Sequence, residues 1–240
     1  MEQFNEIFTQ VFQKNGLDEY IQPAIMEKFA ALTKRMVEVN AVMNITALTT
    51  EEKIIPLHYA DCLKVAAYIP KNAHVLDVGC GGGFPILPLA VIRPDLHLTG
   101  LDSTEKKIRY VQSTADELGL NIQTIAGRAE DVAKLPAHRD GYDVVIGRAV
   151  ARMNVLDELC IPFVKPNGRF IAMKGAAGAE EFEEAALGVE KLGGIARDLL
   201  EYDLHLVDGC EKRTLLFVEK VSRTPKEFPR AFGAIKKRPL

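Results

Sequence analysis

Asp77, Gly79, Gly81 and Gly83 fall at alternate positions in the run His74–Pro85, with Gly82 between the last two. Glycines at this density let a backbone turn sharply and let a ligand lie against it with no Cβ in the way. The acid two residues before the first glycine sets the chemistry. A carboxylate there repels a pyrophosphate and suits a ligand carrying an amino group and a sulfonium. A phosphate-binding Walker loop would close on Gly-Lys-Ser/Thr, whereas Gly83 is followed by Phe84-Pro85. Gly79 and Gly81 match the first two glycines of a dinucleotide fingerprint, but Phe84 stands where its third belongs. A second acid, Asp102, ends the run His97–Asp102 and can accept both hydroxyls of a ribose. Ala126-Gly127-Arg128-Ala129-Glu130-Asp131 closes a third run. Each acid alone would serve as a helix cap or a solvated loop residue. Asp77, Asp102 and Glu130 together with the glycine turn point to a nucleoside-bearing cofactor.

The elements that must hold these groups read as strands and helices in alternation. Val75, Leu76 and Val78 suit a strand buried on both faces, and Pro85 suits the first position of a following helix. From Ala73 the alternation implies a parallel sheet. Helices are predicted at 84–92, 104–118, 153–164 and 179–192, with a short one after Arg128. Strands are predicted at 121–128, 142–147 and 168–174. Two further strand-like runs, 195–206 and 213–221, are joined by the Asp208-Gly209 turn. Asp77, Asp102, Arg128, Arg148 and Lys174 all fall at carboxyl ends of strands, where parallel α/β sheets bind ligands. Ahead of the sheet, Phe4, Ile7, Phe8, Val11 and Phe12 recur at helical spacing, and a longer amphipathic pattern runs from Ile21 to Val42. Residues 40–50 read as a loop, and His58 opens a short helix. Three segments are expected: a helical extension over 1–70, the cofactor domain over 71–221 and a basic tail over 222–240.

The 240 residues are 48% hydrophobic, enough for one large α/β core and an appendage. No signal peptide or 18-residue apolar run is evident, so a cytoplasmic protein without membrane attachment is expected. Cys62, Cys80, Cys160 and Cys210 lack metal-ligand spacing and read as reduced structural cysteines, with no metal site. The net charge of −3 argues against a bulk nucleic-acid binder, but residues 220–240 carry +6 and the rest −9. That asymmetry suits a protein meeting a polyanion at one edge, or else marks a solvated end.

The loop after the fourth strand, Gly147-Arg148-Ala149-Val150, lacks the Asn/Asp-Pro-Pro-aromatic pattern used for exocyclic amines. Cys160 has a core reading and is not the nucleophile that methylation at a pyrimidine carbon needs. The strand ends offer cations instead: Arg128, Arg148 and Lys174, with Arg152 nearby, for which a salt bridge to a neighbouring acid is the preferred reading. A ring nitrogen with an in-plane lone pair, such as guanine N7, needs no proton removed, so positioning and electrostatics can carry its methylation. A donor on N7 itself would block attack, leaving O6 or a phosphate as the sensible target of an arginine.

The Asp77–Pro85 loop resembles the S-adenosylmethionine loop of class I methyltransferases. Residues 40–46, His58-Tyr59-Ala60-Asp61-Cys62-Leu63, Gly147–Ala151, Ala172-Met173-Lys174-Gly175 and Thr224–Arg230 resemble the bacterial glucose-inhibited division protein B family. Those proteins are the guanine-N7 methyltransferases of small-subunit ribosomal RNA. The resemblance covers nearly the whole chain. It implies a Rossmann-like seven-stranded, mainly parallel sheet with helices on both faces and an N-terminal helical extension. It also implies S-adenosyl-L-methionine as cofactor and methyl transfer to N7 of a guanine in 16S ribosomal RNA or the small ribosomal subunit, by a monomer. By the same resemblance Asp77, Gly79, Gly81 and Phe84 meet the cofactor, Asp102, Ser103 and Thr104 hold its ribose, and Ala129 and Glu130 face its adenine. Arg148 borders cofactor and substrate, while Asn44, His58, Arg128 and Lys174 surround the active site or RNA. For His58, packing against Asp61 at a helix start is an equal alternative. Gly147, Val150 and Ile86 depart from the family's usual Ser-Arg-Ala-Phe and Gly-Phe-Pro-Gly. Competing readings are a methyltransferase for a small molecule or protein, a non-catalytic cofactor-binding ribosome-assembly module, and a nicotinamide dehydrogenase.

Overall fold

A computed structural model describes residues 1–148 and 151–240. Seven strands form one sheet: β1 (His74–Val78), β2 (His97–Asp102), β3 (Ile122–Ala126), β4 (Tyr142–Arg148), β5 (Val164–Gly175), β6 (Gly194–His205) and β7 (Cys210–Lys220). Their spatial order is β3-β2-β1-β4-β5-β7-β6. The first five run parallel, and β7 lies antiparallel between β5 and β6. Chain order therefore reverses between β1 and β4, which opens a crevice beyond their carboxyl ends.

Helices cover both faces because the parallel strands are apolar on both, as β1 shows with Val75, Leu76 and Val78 all buried. One face packs against α1 (Glu2–Lys14), α2 (Pro23–Met43), α5 (Ile86–Ile92) and α6 (Glu105–Glu117). The other packs against α7 (Ala129–Val132), α8 (Met153–Cys160), α9 (Gly178–Lys191) and α10 (Phe232–Lys237). Several predicted boundaries move; the helix expected over 153–164 ends at Cys160, and the strand expected from 168 begins at Val164. The first core helix begins at Ile86, not Phe84, because the glycine turn continues through Pro85, which sits at the N-cap. The pattern assigned to 21–42 extends to Met43 and ends at Asn44, whose φ of 50° is left-handed. His58 does not open a helix. It lies inside a helical run of α3 (Glu51–Ile54), a π-helical turn (Ile55–Ala60) and α4 (Asp61–Leu63). Such π turns are rare and are frequently found at functional sites.

Aromatic rings link the N-terminal helices to the glycine loop. Phe8 stacks on Phe12 at 3.7 Å between centroids and touches Phe29 at 5.4 Å. Phe29 meets Tyr59 at 4.7 Å, and Tyr59 lies 6.4 Å from Phe84. Pairs of this kind contribute about 0.5–1.5 kcal/mol each beyond their buried area. The extension is thus packed rigidly against the crevice.

The basic C-terminal segment is folded onto the domain. Lys220 is buried and donates to the Ile161 carbonyl and the Thr224 hydroxyl, both at 2.7 Å, beside Asp140. Arg139 donates to the carbonyls of Thr224, Pro225 and Phe228. Arg230 forks onto the fully buried Glu158 with contacts of 2.5–3.0 Å. Ile235 then fills the core beneath α10. Two of the cations counted in the basic run 220–240, Lys220 and Arg230, are therefore internal counterions. Arg223, Lys226, Lys236, Lys237 and Arg238 stay exposed.

Among the described residues no helix is long and apolar enough to cross a membrane, and no cluster of His, Cys, Asp or Glu could hold a metal. None of the four cysteines is bonded to another; Cys62, Cys80 and Cys160 are buried and Cys210 is exposed.

Candidate active site

A cavity of about 380 Å³ opens at the β1/β4 crevice. One wall is the glycine turn. Gly79, Gly81 and Gly83 have φ of 72°, 53° and 86°, a region that L side chains avoid. A Cβ at Gly81 would project into open space, its nearest neighbour the Gly79 carbonyl at 3.8 Å. A Cβ at Gly82 would stand 2.4 Å from Ile45, so the bare glycine is what lets the segment after α2 approach the turn.

At the end of β2, Asp102 accepts from the Gly81 amide at 3.0 Å and the Thr104 amide at 2.8 Å. Each oxygen keeps lone-pair capacity toward the cavity it lines, as a ribose diol requires. Ser103 lines the cavity beside it; Thr104 caps α6 and does not. Across the floor, Gly127, Arg128, Ala129 and Glu130 form the turn after β3, joined by Phe232 from α10. Arg128 pairs with Glu130 at 2.5 Å and lies over the Phe232 ring at 4.8 Å, with half its side chain in solvent.

Asp77 sits beneath the loop instead of on the cavity wall, with neither oxygen hydrogen-bonded. Burial pushes its carboxyl up to about 7, against the opposing influence of the Arg148 charge and the nearby Ile86 amide. It is a buried carboxyl without a hydrogen-bond partner under the turn, and burial favours its neutral form.

The remaining wall comes from the N-terminal extension. Asn40 brackets Thr46 with two hydrogen bonds of 2.9 Å, donating to its carbonyl and accepting from its amide. His58 lies flat on Phe84 with Nε2 2.8 Å from the Thr46 hydroxyl and Nδ1 3.2 Å from Arg148 Nη2. Burial, reinforced by the Arg148 charge, lowers the His58 pKa to about 3, so the ring is neutral near pH 7. Arg148 also donates to the carbonyls of Phe84 at 3.3 Å and Leu57 at 3.1 Å and approaches Asp61 at 3.5 Å. Asp61 in turn accepts from the Tyr202 hydroxyl at 2.9 Å and pairs with Arg213 at 3.5 Å. Arg148 is thus a clamp joining β4, the glycine loop and the π turn. It lines the cavity with most of its donors engaged.

Gly79, Gly81, Phe84, Asp102, Ser103, Ala129, Glu130, Arg128, His58 and Arg148 converge on this one cavity. Asn44 and Lys174 do not. Asn44 is exposed and terminates α2, where its left-handed conformation suits asparagine. Lys174 bonds the Ala151 carbonyl and pairs with Glu181 at 2.9 Å, and Glu181 accepts the Met153 amide at 2.8 Å. It fixes the chain leading into α8. Ala149 and Val150, part of the motif after β4, lie outside the described residues. Arg152 pairs with Glu184 at 2.6 Å. The motifs had not singled out Ile45, Thr46, Lys107 or Phe232 as cavity residues, although Ile45 and Thr46 lie in the resembling stretch 40–46. At the departure position Gly147, a Cβ would meet Leu156 at 3.0 Å, so glycine lets α8 pack close to β4.

Solved structures share this sheet. The M. jannaschii TYW2 in complex with AdoMet matches at TM-score 0.55 and 17% identity, over 67% of this chain and 75% of that one. A putative transferase from Pyrococcus horikoshii matches at TM-score 0.55 and 14% identity, over 68% and 63%. The glycine cradle, the acid that ends β2 with lone pairs left for a diol, and the turn after β3 fit S-adenosylmethionine, and with the fold they define a class I methyltransferase. Curated relatives narrow the class. Proteins called ribosomal RNA small subunit methyltransferase G match at 41% identity in Deinococcus deserti, covering 95% of this chain and 93% of that one. The Lactobacillus delbrueckii subsp. bulgaricus relative of that name matches at 36%, covering 98% and 99%. The family model described as rRNA small subunit methyltransferase G matches residues 25–207, and the chain belongs to that family.

Proposed function

We propose that this chain methylates N7 of a guanine in 16S ribosomal RNA of the small ribosomal subunit. The observation carrying this reading is that the cofactor wall and the wall built by the N-terminal extension line one cavity in which, among the described residues, each His, Asp and Glu side chain is already held by a hydrogen bond or ion pair. His58 has both ring nitrogens engaged and a depressed pKa. Asp102 is held by two amides and Glu130 by Arg128. An exocyclic amine or a hydroxyl would need a proton taken from it, whereas guanine N7 presents a lone pair ready to attack. S-adenosylmethionine bound there would supply a methyl group on a positively charged sulfur. The residues of this chain then act by placement: the turn and Asp102 fix the nucleoside, and the Thr46–His58–Arg148 chain shapes the opposite wall. The names of the curated relatives support the small-subunit RNA as substrate. So do the exposed Lys236, Lys237 and Arg238 on the segment whose Phe232 reaches the cavity.

The test is transfer of labelled methyl from S-adenosylmethionine to small subunits from cells lacking this chain. Label is expected in those subunits and not in small subunits from cells that contain it. Absence of label in both, with cofactor binding intact, would refute the reading.

A further inference from the structure

The direction of each hydrogen bond along the Arg148–His58–Thr46 chain is fixed, and it leaves one proton unassigned. A guanidinium carries only donors. With Arg148 Nη2 3.2 Å from His58 Nδ1, that nitrogen must accept, so the neutral ring carries its hydrogen on Nε2. Nε2 is 2.8 Å from Thr46 Oγ1 and therefore donates to it. The Leu48 amide donates to the same oxygen at 3.1 Å. Both lone pairs of the hydroxyl are then taken, and among the described residues its own proton has no acceptor. Thr46 lines the cavity. The two bonds from Asn40 fix its backbone, and Ile45 wedges against the bare Gly82. A preorganised donor therefore faces the methyl-transfer cavity.

We infer that the Thr46 hydroxyl donates to the O6 carbonyl of the target guanine and is the group that selects guanine at this site, an assignment that rests on the functional reading above. O6 lies beside N7 on the same edge of guanine, so a donor there holds the base while leaving the N7 lone pair free. Adenine presents an amino group at that position, and its N–H would face the Thr46 O–H donor to donor. Arg148, the alternative reader of O6, is engaged by His58, Leu57, Phe84 and Asp61. Thr46 is thus a specificity-determining residue, and His58 and Arg148 are positioning residues that set the direction of its proton.

Two variants and one altered substrate test this. Thr46→Val keeps the shape and removes the hydroxyl; Thr46→Ser keeps the hydroxyl. With small subunits lacking the modification, Thr46→Val is expected to lower kcat/KM about tenfold or more, as for a lost hydrogen bond to a desolvated partner. Its affinity for S-adenosylmethionine should be unchanged, and Thr46→Ser should recover most of the loss. Subunits carrying 2-aminopurine at the mapped nucleotide keep N7 and lack O6. On these the wild type should fall to the level of Thr46→Val, and Thr46→Val should lose nothing further. A Thr46→Val enzyme within twofold of wild type would overturn the assignment. So would a second, additive loss on 2-aminopurine, because a merely structural role for Thr46 gives additive penalties. Wild-type enzyme that methylates no subunit at all would remove the functional reading itself, and this assignment with it.

Discussion

The His58 imidazole lies against the Phe84 ring with centroids 4.0 Å apart and planes 6° apart, so a ring of the extension is stacked on the cofactor loop. Folding keeps this ring neutral: its pKa falls from 6.5 to about 3. Between those values the unfolded chain binds the proton and the folded chain does not. The contribution of His58 is therefore complete above pH 6.5 and is lost as pH falls toward 3. Urea unfolding of wild type and His58→Asn at pH 7.5 and 5 checks it. Wild type should lose more stability than the variant on acidification; equal losses would contradict the assignment of His58 as buried and neutral.

Asp77 works in the opposite sense. Its pKa is raised from 3.8 to about 7, so the cofactor-free chain is stabilised by its protonated form and loses that stability as pH rises through this window. A cationic cofactor favours the ionised form. The dissociation constant for S-adenosylmethionine should fall between pH 5.5 and 7.5, and Asp77→Asn should flatten that dependence near its low-pH value. Titration calorimetry at several pH values measures this. A variant retaining the wild-type pH dependence would show that Asp77 is not the group responsible.

The parts of this site that sequence made legible are those whose neighbours in space are also neighbours in the chain. Gly79 through Gly82 and Asp102 with Ser103 announce themselves because the strand, the acid and the turn are contiguous, whereas Asp77 lies beneath the turn and Thr104 stands off the cavity. The tail was not legible in the same way. Nothing near Arg230 in sequence signals Glu158, 72 residues earlier and fully buried, so its charge read as part of a solvated basic edge. Lys174 was read as a strand-end cation facing ligand, whereas Glu181 on α9 draws it away. Thr46 entered only as part of the 40–46 stretch and was given no role, because its importance comes from His58 and Leu48 closing on its hydroxyl while Asn40 holds its backbone, a relation no spacing rule encodes.

The contact between Gly82 and Ile45 predicts a paired result. Gly82→Ala places a methyl 2.4 Å from Ile45 and must push the Thr46 segment off the cofactor turn. Methyl transfer should fall at least tenfold with little change in melting temperature. Ile45→Ala in the same chain should recover part of it. Failure of the second change to recover any activity would place the damage in the turn itself.

Arg230 answers a buried carboxylate, so its loss should be felt in stability. Breaking a buried pair from one side costs about 3–5 kcal/mol because the remaining charge is stranded. Arg230→Ala should shift the urea midpoint accordingly, and adding Glu158→Gln should return a substantial share. An Arg230→Ala protein of wild-type stability would mean that α10 is not anchored through this pair.

The central claim is that methyl reaches N7 of a guanine in the small-subunit RNA. The most direct measurement is incubation of the wild-type chain and S-adenosylmethionine with small subunits lacking the modification, followed by borohydride reduction and aniline treatment of the extracted RNA. That chemistry opens the chain at N7-methylguanosine. The account predicts one new cleavage, at a guanosine, dependent on both enzyme and cofactor. Methyl incorporation with no new cleavage, or with the label on another atom in nucleoside analysis, would contradict it.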